Sequence, residues 1–430
     1  MSLRRTLVRT TLALAILGAA IGAALAVFLV RGSGKLVVLP VPTGSYAVGR
    51  VSYDWVDESR QEVFAPKQGE KGSGAKHKKR ELMVWFWYPA APEPGAKPGA
   101  YLPGKWGRAL ERDRGPFLWQ RLDWVQVHAI PDAPVSAAQP GYPVLIFSTG
   151  YGRVPTDYTV LAEDLASHGY VVVGIANTYS APVVAFPDGR VVSRVREAAL
   201  PEGSRLAEKT AADRLVMVWA EDVIFVIDQL DRLSTDASSG FFGRLDVTRL
   251  GVFGHSFGGA AAVEACSRDS RCKAAVDIGG ALFGDVPRVG LKQPCMFVLG
   301  ERATPPRIVF LTHLFSRREA EEELAREIRD MDSASRAALA AYKVSVHGAR
   351  HFNFSDSAVL FSPIMKAGGT LGSIEGARGL RITSDYVRAF FDKYLNNADS
   401  PLLDGAPSEY PEVSFESRAG PTGVSPETGK

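Results

Sequence analysis

From Pro143 onward, short unbroken apolar runs alternate with segments that have the composition of helices. The runs include PVLIFS, YVVVGIA, RLGVFG and QPCMFVLG, and the segments between them include DYTVLAEDLASHG and GGAAAVEACS. Strands that are apolar along their whole length are typical of a parallel sheet that helices cover on both faces. The pattern therefore predicts an α/β fold with a mostly parallel central sheet.

Regions of other character flank this alternating pattern. Upstream, KLVVLP, SYAVGRVSYDW and ELMVWFWYP predict antiparallel strands at the start of the sheet. A stretch rich in Pro, Gly and aromatic residues, at about 92–143, predicts an insertion. We expect one large domain over residues 36–397 and a loose or surface-draped tail over residues 398–430, which is rich in Pro, Ser, Gly and Glu.

The charge balance argues against a nucleic-acid-binding protein. The 430 residues contain 50 Lys and Arg against 47 Asp and Glu, a formal net charge of +3. A dedicated nucleic-acid-binding domain normally carries a dense basic face. No nucleic-acid partner is therefore expected, and the sequence leaves the oligomeric state open.

Residues 1–35 form a separate segment. Three arginines, at positions 4, 5 and 9, precede an uncharged run from Thr11 to Val30. A helix of that length rises about 30 Å, enough to cross a bilayer, whereas a cleaved signal has an apolar region of about 7–15 residues. The run predicts a membrane anchor, with a cleaved signal as the alternative. Either one places the rest of the chain outside the cytoplasm.

The three cysteines are compatible with that location. Cys266 and Cys272 lie close together in ACSRDSRC, and in an oxidising compartment they could form a short-loop disulfide. Two independent thiols are the alternative. Cys295, within QPCMFVLG, is expected to be a buried residue of a strand.

One serine lies in a context that predicts a nucleophile. Gly254-His255-Ser256-Phe257-Gly258 matches the pattern G-x-S-x-G, which by itself is weak. Here the motif follows the apolar strand RLGVF and precedes a helix of small residues, as a nucleophile elbow requires. A glycine-rich structural turn is the alternative.

A serine needs a base, and two histidines lie at or after the end of the last predicted strand, YKVSVHG. In the chain order serine, acid, histidine, the base follows the final strand. His351, in GARHFNFSD, lies clear of that strand, whereas His347 is still within it. His351 is therefore the predicted base, and His255, beside the serine, is predicted to have a packing role.

The acid that orients the base should lie at the carboxyl end of a strand between these two residues. Asp277 ends KAAVD and precedes the tight turn Ile278-Gly279-Gly280, whereas Glu301 ends CMFVLGE one strand later. Asp277 is the preferred candidate, Glu301 the second and Asp285 a distant third. The backbone N–H of Phe257 and that of Tyr151, in the loop Thr149–Gly152, are the predicted oxyanion donors.

Several of these motifs together resemble a known family. PVLIFSTGYG, GHSFGGAA, AAVDIGGALF and VHGARHFNFSD, in this order and spacing, are similar to the plasma and type II platelet-activating factor acetylhydrolases and to related bacterial esterases. The similarity runs from about Glu81 to about Leu395. It implies an α/β-hydrolase fold, no cofactor or metal, and cleavage of short or oxidised acyl chains from phospholipids.

The resemblance also implies a role for five residues. The family's pattern places the nucleophile at Ser256, the acid at Asp277 and the base at His351, with oxyanion donors at Tyr151 and Phe257. The resulting hypothesis is a serine carboxylic ester hydrolase that acts on a small-molecule or lipid ester. The alternatives are polyester, dienelactone or amide hydrolysis, and a non-catalytic binding protein tethered to the membrane.

The aromatic residues of the insertion admit two interpretations. They either form a rim that faces the substrate or a lipid, or they pack on the core. These residues are Tyr101, Trp106, Phe117, Trp119 and Trp124.

Overall fold

The structure, a computed structural model, describes most of the chain. The described ranges are 36–65, 79–114, 121–198, 205–301, 317–361, 369–405 and 409–419, together with the isolated positions 17, 18 and 22. The predicted anchor or signal over residues 1–35 lies outside these ranges except for the three isolated positions. In the described part of the chain, no helix combines the length and the apolar character needed to span a membrane.

The strands and helices alternate along the chain after a strand-rich beginning. The strands are β1 (Val37–Val38), β2 (Ala47–Gln61), β3 (Lys79–Ala90), β4 (Val125–Gln126), β5 (Ile130–Pro131), β6 (Tyr142–Ser148), β7 (Val171–Ala176), β8 (Val183–Ala185), β9 (Val191–Ser193), β10 (Leu245–His255), β11 (Cys272–Ile278), β12 (Cys295–Gly300), β13 (Ala340–Val346) and β14 (Val413–Ala419). The α-helices are α1 (Lys105–Arg114), α2 (Thr159–Ser167), α3 (Arg205–Thr235), α4 (Phe257–Arg268), α5 (Val286–Val289), α6 (Arg317–Ser335), α7 (Ser357–Leu360) and α8 (Gly376–Leu395).

Ten of these strands form one sheet in the order β14-β13-β12-β11-β10-β6-β7-β3-β2-β5. The six consecutive strands from β13 to β7 are parallel to one another. β2 and β3 are antiparallel to each other, and β3 is antiparallel to β7. The predicted α/β fold, with a mostly parallel sheet and antiparallel strands β2 and β3, is confirmed. The prediction was wrong for KLVVLP, which contributes β1: this strand pairs parallel with β4 in a separate two-stranded sheet.

Helices cover the sheet on both faces because its central strands are apolar on both sides. In β6, Leu145 and Phe147 belong to one buried cluster, and Val144 and Ile146 belong to another. The first cluster includes residues of α2 and α8, and the second includes residues of α3 and α4. Since alternate residues of a strand point to opposite faces, each cluster lies on its own side of the sheet.

The register of the central strands gathers three chain segments at one edge of the sheet. Gly254, near the end of β10, pairs with Ser148 of β6 on one side and with Asp277 of β11 on the other. Because these strands are parallel, their carboxyl ends meet at the same edge. The loop after β6 and the end of β11 therefore flank the segment that follows β10.

The prediction of a loose tail is wrong for residues 409–419. β14 pairs antiparallel with β13, from Val346 opposite Val413 to Ala340 opposite Ala419, and forms the edge of the sheet. Its sequence, VSFESRA, alternates apolar and polar residues over its first half, a strand pattern that the Pro- and Gly-rich surroundings obscured. Residues 406–408 and 420–430 lie outside the described residues.

The insertion packs on the core at Tyr101 and Trp106, which contradicts a rim formed by these two residues. Tyr101 is fully buried and Trp106 is 6% exposed, with its ring 5.6 Å from that of Trp85 on β3. Trp124 is 38% exposed. Phe117 and Trp119 lie outside the described residues.

A disulfide joins Cys266 to Cys272, so the structure has the paired form of these two cysteines. The bond connects the last turn of α4 to the first residue of β11. Cys295 on β12 is a buried free cysteine, as expected.

Candidate active site

The strand–turn–helix segment around Ser256 has the backbone of a nucleophile elbow. β10 ends at His255, α4 begins at Phe257, and Ser256 between them has φ 57° and ψ −127°. A non-glycine residue with positive φ is strained, and such strain is held in place by the surrounding structure. The strained conformation turns the chain sharply between the strand and the helix and leaves Ser256 only partly buried.

The glycines of the motif allow the chain to pass close to itself. A β-carbon on Gly254 would overlap the carbonyl of Gly258, and one on Gly258 would overlap the carbonyl oxygens of Ser148 and Thr149. The loop after β6 is thus packed directly against the first turn of α4. This contact explains why the motif needs glycine at both positions.

Ser256 and His351 line the same cavity, which has a volume of about 940 Å³. His351 begins a short 3₁₀ helix, His351–Phe354, after the end of β13. A hydroxyl and an imidazole on one cavity are the groups that nucleophilic catalysis by serine requires. His347, the other candidate base, lies away from this cavity, and its Nε2 is 2.6 Å from the hydroxyl of Ser414 on β14.

Asp277 lies under the elbow, at the carboxyl end of β11. Its Oδ1 accepts a hydrogen bond from the Gly280 N–H at 3.0 Å, and a β-carbon on Gly259 or Gly280 would overlap this oxygen. A β-carbon on Gly279 would lie 3.6 Å from Nδ1 of His351, which places the imidazole beside the turn that follows Asp277. The structure thus brings Asp277 and His351 to the same turn.

The carboxyl of Asp277 is fully buried, and this burial raises its pKa to about 7. The hydrogen bond from the Gly280 N–H lowers the pKa, but its effect is the smaller of the two. Among the described residues, its second oxygen, Oδ2, accepts no hydrogen bond. A buried carboxylate without a cationic partner is costly. An imidazolium within reach of this carboxylate would offset that cost.

The two other candidate acids have different surroundings. Glu301 is exposed at the cavity, and its Oε1 accepts a hydrogen bond from the Gly348 N–H at 2.8 Å. Asp285 is at the surface in an ion pair of 3.1 Å with Arg288. Asp277 is the only one of the three carboxyls that is buried beneath Ser256.

The predicted oxyanion donors both lie on the wall of the cavity. Tyr151 follows Gly150 in the loop after β6, and Phe257 is the first residue of α4. Their rings are 6.4 Å apart, and the loop and the helix are in contact through Gly258. Backbone N–H groups at the start of a helix have no partner within it and attract negative charge.

A hydrogen-bonded chain that the sequence did not predict connects the loop after β6 to the base. The Gly150 N–H donates to the Tyr158 hydroxyl at 3.1 Å, and that oxygen lies 2.9 Å from Nδ1 of His255. Nε2 of His255 lies 3.0 Å from the backbone carbonyl oxygen of His351, which can only accept. His255 therefore donates from Nε2 and holds the backbone of His351, the predicted base, in position.

Burial of the imidazole is the main reason why the pKa of His255 lies well below its usual value, and the nearby His351 is the second. A neutral imidazole that donates from Nε2 accepts at Nδ1, so the Tyr158 hydroxyl donates to it. His255 thus has a hydrogen-bonding role as well as the packing role predicted for it. The adjacency of His255 to the serine was visible in the sequence, but nothing in the spacing connected it to Tyr158 or His351.

Comparisons with known proteins identify a family for this chain. The sequence model of the family "Platelet-activating factor acetylhydrolase, isoform II" matches residues 117–186 and 234–408. A "Probable 1-alkyl-2-acetylglycerophosphocholine esterase" from Arthroderma benhamiae is 27% identical over 64% of this chain and 66% of that protein. A "Platelet-activating factor acetylhydrolase" from Cavia porcellus is 24% identical over 63% of this chain and 61% of that protein. The chain thus covers slightly less than two thirds of the length of these curated relatives.

A solved structure matches over more of the chain. A ferulic acid esterase from Streptomyces cinnamoneus superposes with a TM-score of 0.68 at 30% sequence identity, covering 89% of this chain and 99% of that one. Together with the sheet order, this likeness confirms the α/β-hydrolase fold that the resemblance implied.

Proposed function

The chain belongs to the platelet-activating factor acetylhydrolase isoform II family, and we propose that it is a serine carboxylic ester hydrolase. The observation that carries the proposal is the strained Ser256 on an elbow that opens into the same cavity as His351. The names of the curated relatives and of the structural neighbour, all esterases or acetylhydrolases, support the reaction class.

The proposed reaction proceeds through an acyl-enzyme. His351 takes the proton of Ser256, whose Oγ attacks the ester carbonyl, and the N–H groups of Tyr151 and Phe257 hold the oxyanion. The bond to the alcohol breaks as His351 returns the proton to the leaving oxygen. Water, deprotonated by His351, then attacks the acyl-enzyme and releases the acid together with free Ser256.

Asp277 acts on the base in this scheme. Its buried carboxylate stabilises the imidazolium that forms when His351 takes the serine proton. The support for this role is its position beside the turn that contacts His351 and its unsatisfied Oδ2 among the described residues. The orientation of His351 is set in addition by the bond from His255 to its backbone.

The proposed substrates are esters of short acyl groups, including phospholipids that carry a short acyl chain at the sn-2 position. The support for a phospholipid is the activity that the names of the two curated relatives state. A second candidate is an ester of another type, supported by the ferulic acid esterase neighbour and by "Cutinase est1" from Thermobifida alba, which is 30% identical over 32% of this chain.

The test compares wild type with Ser256→Ala on p-nitrophenyl acetate and measures labelling by a fluorophosphonate probe. We expect turnover to fall by about 10⁶-fold and labelling to disappear in the variant, because the nucleophile is gone. Undiminished turnover would refute the proposed nucleophile. Absence of both labelling and turnover in folded wild type would instead favour a non-catalytic binding protein.

A substrate panel then separates the two candidate functions. Short-acyl phosphocholine esters, feruloyl esters and a polyester film are compared at equal enzyme concentration. The proposal expects the highest kcat/KM for the phosphocholine esters. A preference for feruloyl or polyester substrates would assign the second candidate.

The proposed location is outside the cytoplasm, either anchored by the segment 1–35 or released from it. The support is the basic and then apolar pattern of that segment together with the Cys266–Cys272 disulfide, a bond typical of oxidising compartments. Cell fractionation and the N-terminal sequence of the mature protein test it. Recovery of the intact chain in the cytoplasm with both cysteines reduced would overturn it.

A further inference from the structure

Helix α6 carries an apolar stripe along one side. Leu324, Ile328 and Met331 follow each other at spacings of four and three residues, which places their side chains on the same face. The helix is otherwise strongly charged, with the sequence RREAEEELAREIRDMDSAS. From Leu324 to Met331 the stripe extends about 10 Å along the helix axis.

The core covers only one end of this stripe. Met331 is 4% exposed and belongs, with Ala334, to the buried cluster on the α3 and α4 side of the sheet. Ile328 is 43% exposed and Leu324 is 38% exposed. The core therefore does not cover Leu324 and Ile328, which leaves both accessible to an apolar ligand.

The uncovered end faces the cavity that contains Ser256. Leu324 and Ile328 both line that cavity, as does Met331. A single exposed apolar side chain on a surface has no special meaning. Two of them on adjacent turns, both on the wall of the catalytic cavity, form a continuous apolar surface inside it.

Aromatic side chains supply further apolar wall in the same cavity. Phe257 has its ring 6.4 Å from that of Tyr151 and 5.5 Å from that of Phe283, and all three residues line the cavity. Charged lining residues are also present, and these include Glu301, Glu327 and Arg350. A cavity of about 940 Å³ with this lining holds much more than an acetyl group beside the serine.

We propose that Leu324 and Ile328 form a subsite for an uncharged alkyl chain of the ester substrate. The proposal rests on the proposed esterase function and adds to it a chain-binding wall on α6. The chain belongs either to the acyl group or to the alcohol, since both are attached to the carbonyl carbon that Ser256 attacks. The length of the stripe suits an extended chain of medium length.

The test uses the double variant Leu324→Ser/Ile328→Ser in the full chain. Its kcat/KM is measured for p-nitrophenyl acetate, p-nitrophenyl octanoate and octyl acetate. We expect the octanoate-to-acetate ratio, or the ratio of octyl acetate to p-nitrophenyl acetate, to fall about tenfold, because the alkyl chain loses its apolar contacts. The ratio that falls identifies the side of the ester that carries the bound chain.

Leu339→Ser is the matched control. Leu339 is 66% exposed and is not among the residues that line the cavity, so both ratios should stay at the wild-type values. Ratios within twofold of wild type in the double variant would overturn the subsite. A fall in all three rates by the same factor would also overturn it, since α6 would then support the cavity without selecting chains. Failure of the esterase proposal is distinguishable, because wild type would then match Ser256→Ala on every substrate.

Discussion

The elbow (Gly254–Gly258) and the base loop (His351–Asp356) meet at one cavity but are held in different ways. Backbone contacts fix the elbow. Gly254 is paired with a strand on each side, and Gly258 packs closely against backbone carbonyls. The base loop is fixed by side chains from distant parts of the chain. His255 donates to the carbonyl of His351, and Asp356 at the other end accepts from the Tyr101 hydroxyl at 3.0 Å.

Asp356 shows how thoroughly the base loop is anchored. Besides the Tyr101 hydroxyl it accepts from the N–H groups of Thr159 and Val160 at the start of α2. Burial raises its pKa to about 8, close to the value of about 7 that burial gives Asp277. Asp356 thus has several donors, whereas Asp277 has one and an Oδ2 without a hydrogen bond among the described residues. Of these two buried carboxyls, Asp277 is therefore the one with an oxygen left to accept a hydrogen bond.

Among the predictions on the elbow, the base loop and the buried carboxyls, the largest expected effect is that of Asp277. Asp277→Asn should lower kcat on p-nitrophenyl acetate by about 10⁴-fold, because the amide cannot stabilise an imidazolium. Steady-state kinetics measure the loss, and Asp285→Asn, at the surface, is the matched control with wild-type kinetics. An equal loss in Glu301→Gln, with Asp277→Asn nearly active, would transfer the role of acid to Glu301.

The second prediction tests whether backbone contact fixes the elbow. Gly258→Ala should lower the free energy of unfolding by about 3 kcal/mol, because its β-carbon would overlap two backbone carbonyls that cannot move independently. Gly240→Ala is the control, since Gly240 is exposed and a β-carbon there has no neighbour within 4 Å. Chemical denaturation measures both, and equal stabilities would contradict the close packing of the elbow.

The third prediction concerns the side chains that hold the base loop. Tyr158→Phe removes the acceptor of the Gly150 N–H and the donor to His255, and should lower kcat about tenfold with little change in KM. Tyr386→Phe is the matched control and should leave kcat unchanged, because the Tyr386 hydroxyl is buried without a hydrogen bond among the described residues. A rise in KM at unchanged kcat would show that Tyr158 shapes the binding cavity and does not position the base.

The smallest effect is a pH dependence of stability. Asp277 and Asp356 both have pKa values raised by burial, so the folded state favours their protonated forms more than the unfolded state does. Their contribution to stability is present below about pH 4 and is lost as pH rises through 7 to 8. Denaturation at pH 6 and pH 9 should show that the free energy of unfolding of Asp277→Asn gains about 1 kcal/mol on that of wild type at the higher pH. A gap that does not change with pH would contradict this assignment.

The contrast between the elbow and the base loop also explains which parts of the site the sequence could predict. The elbow was visible because a strand, a G-x-S-x-G turn and a helix of small residues are adjacent in the chain, and the alternating pattern predicted the sheet that presents them. The contacts of Tyr158 with His255, and of Tyr101 with Asp356, join residues 97 and 255 positions apart. Such pairs depend on the folded arrangement of the elements, and no local pattern records them.

The apolar stripe of α6 and strand β14 were missed for related reasons. Three apolar residues within a strongly charged helix have a periodicity, but only the fold shows that two of them face the cavity. β14 has the alternation of an edge strand, yet its partner β13 lies some 70 residues earlier and the surrounding composition is typical of a tail.

Strand β14 has a practical consequence for anyone who shortens this protein for crystallisation. A fragment ending at residue 405 would leave the full length of β13 as an unpaired edge, five residues before His351. Exposed edges of this kind recruit strands from other molecules, so such a fragment should aggregate. Fragments that continue through Ala419 keep the edge covered.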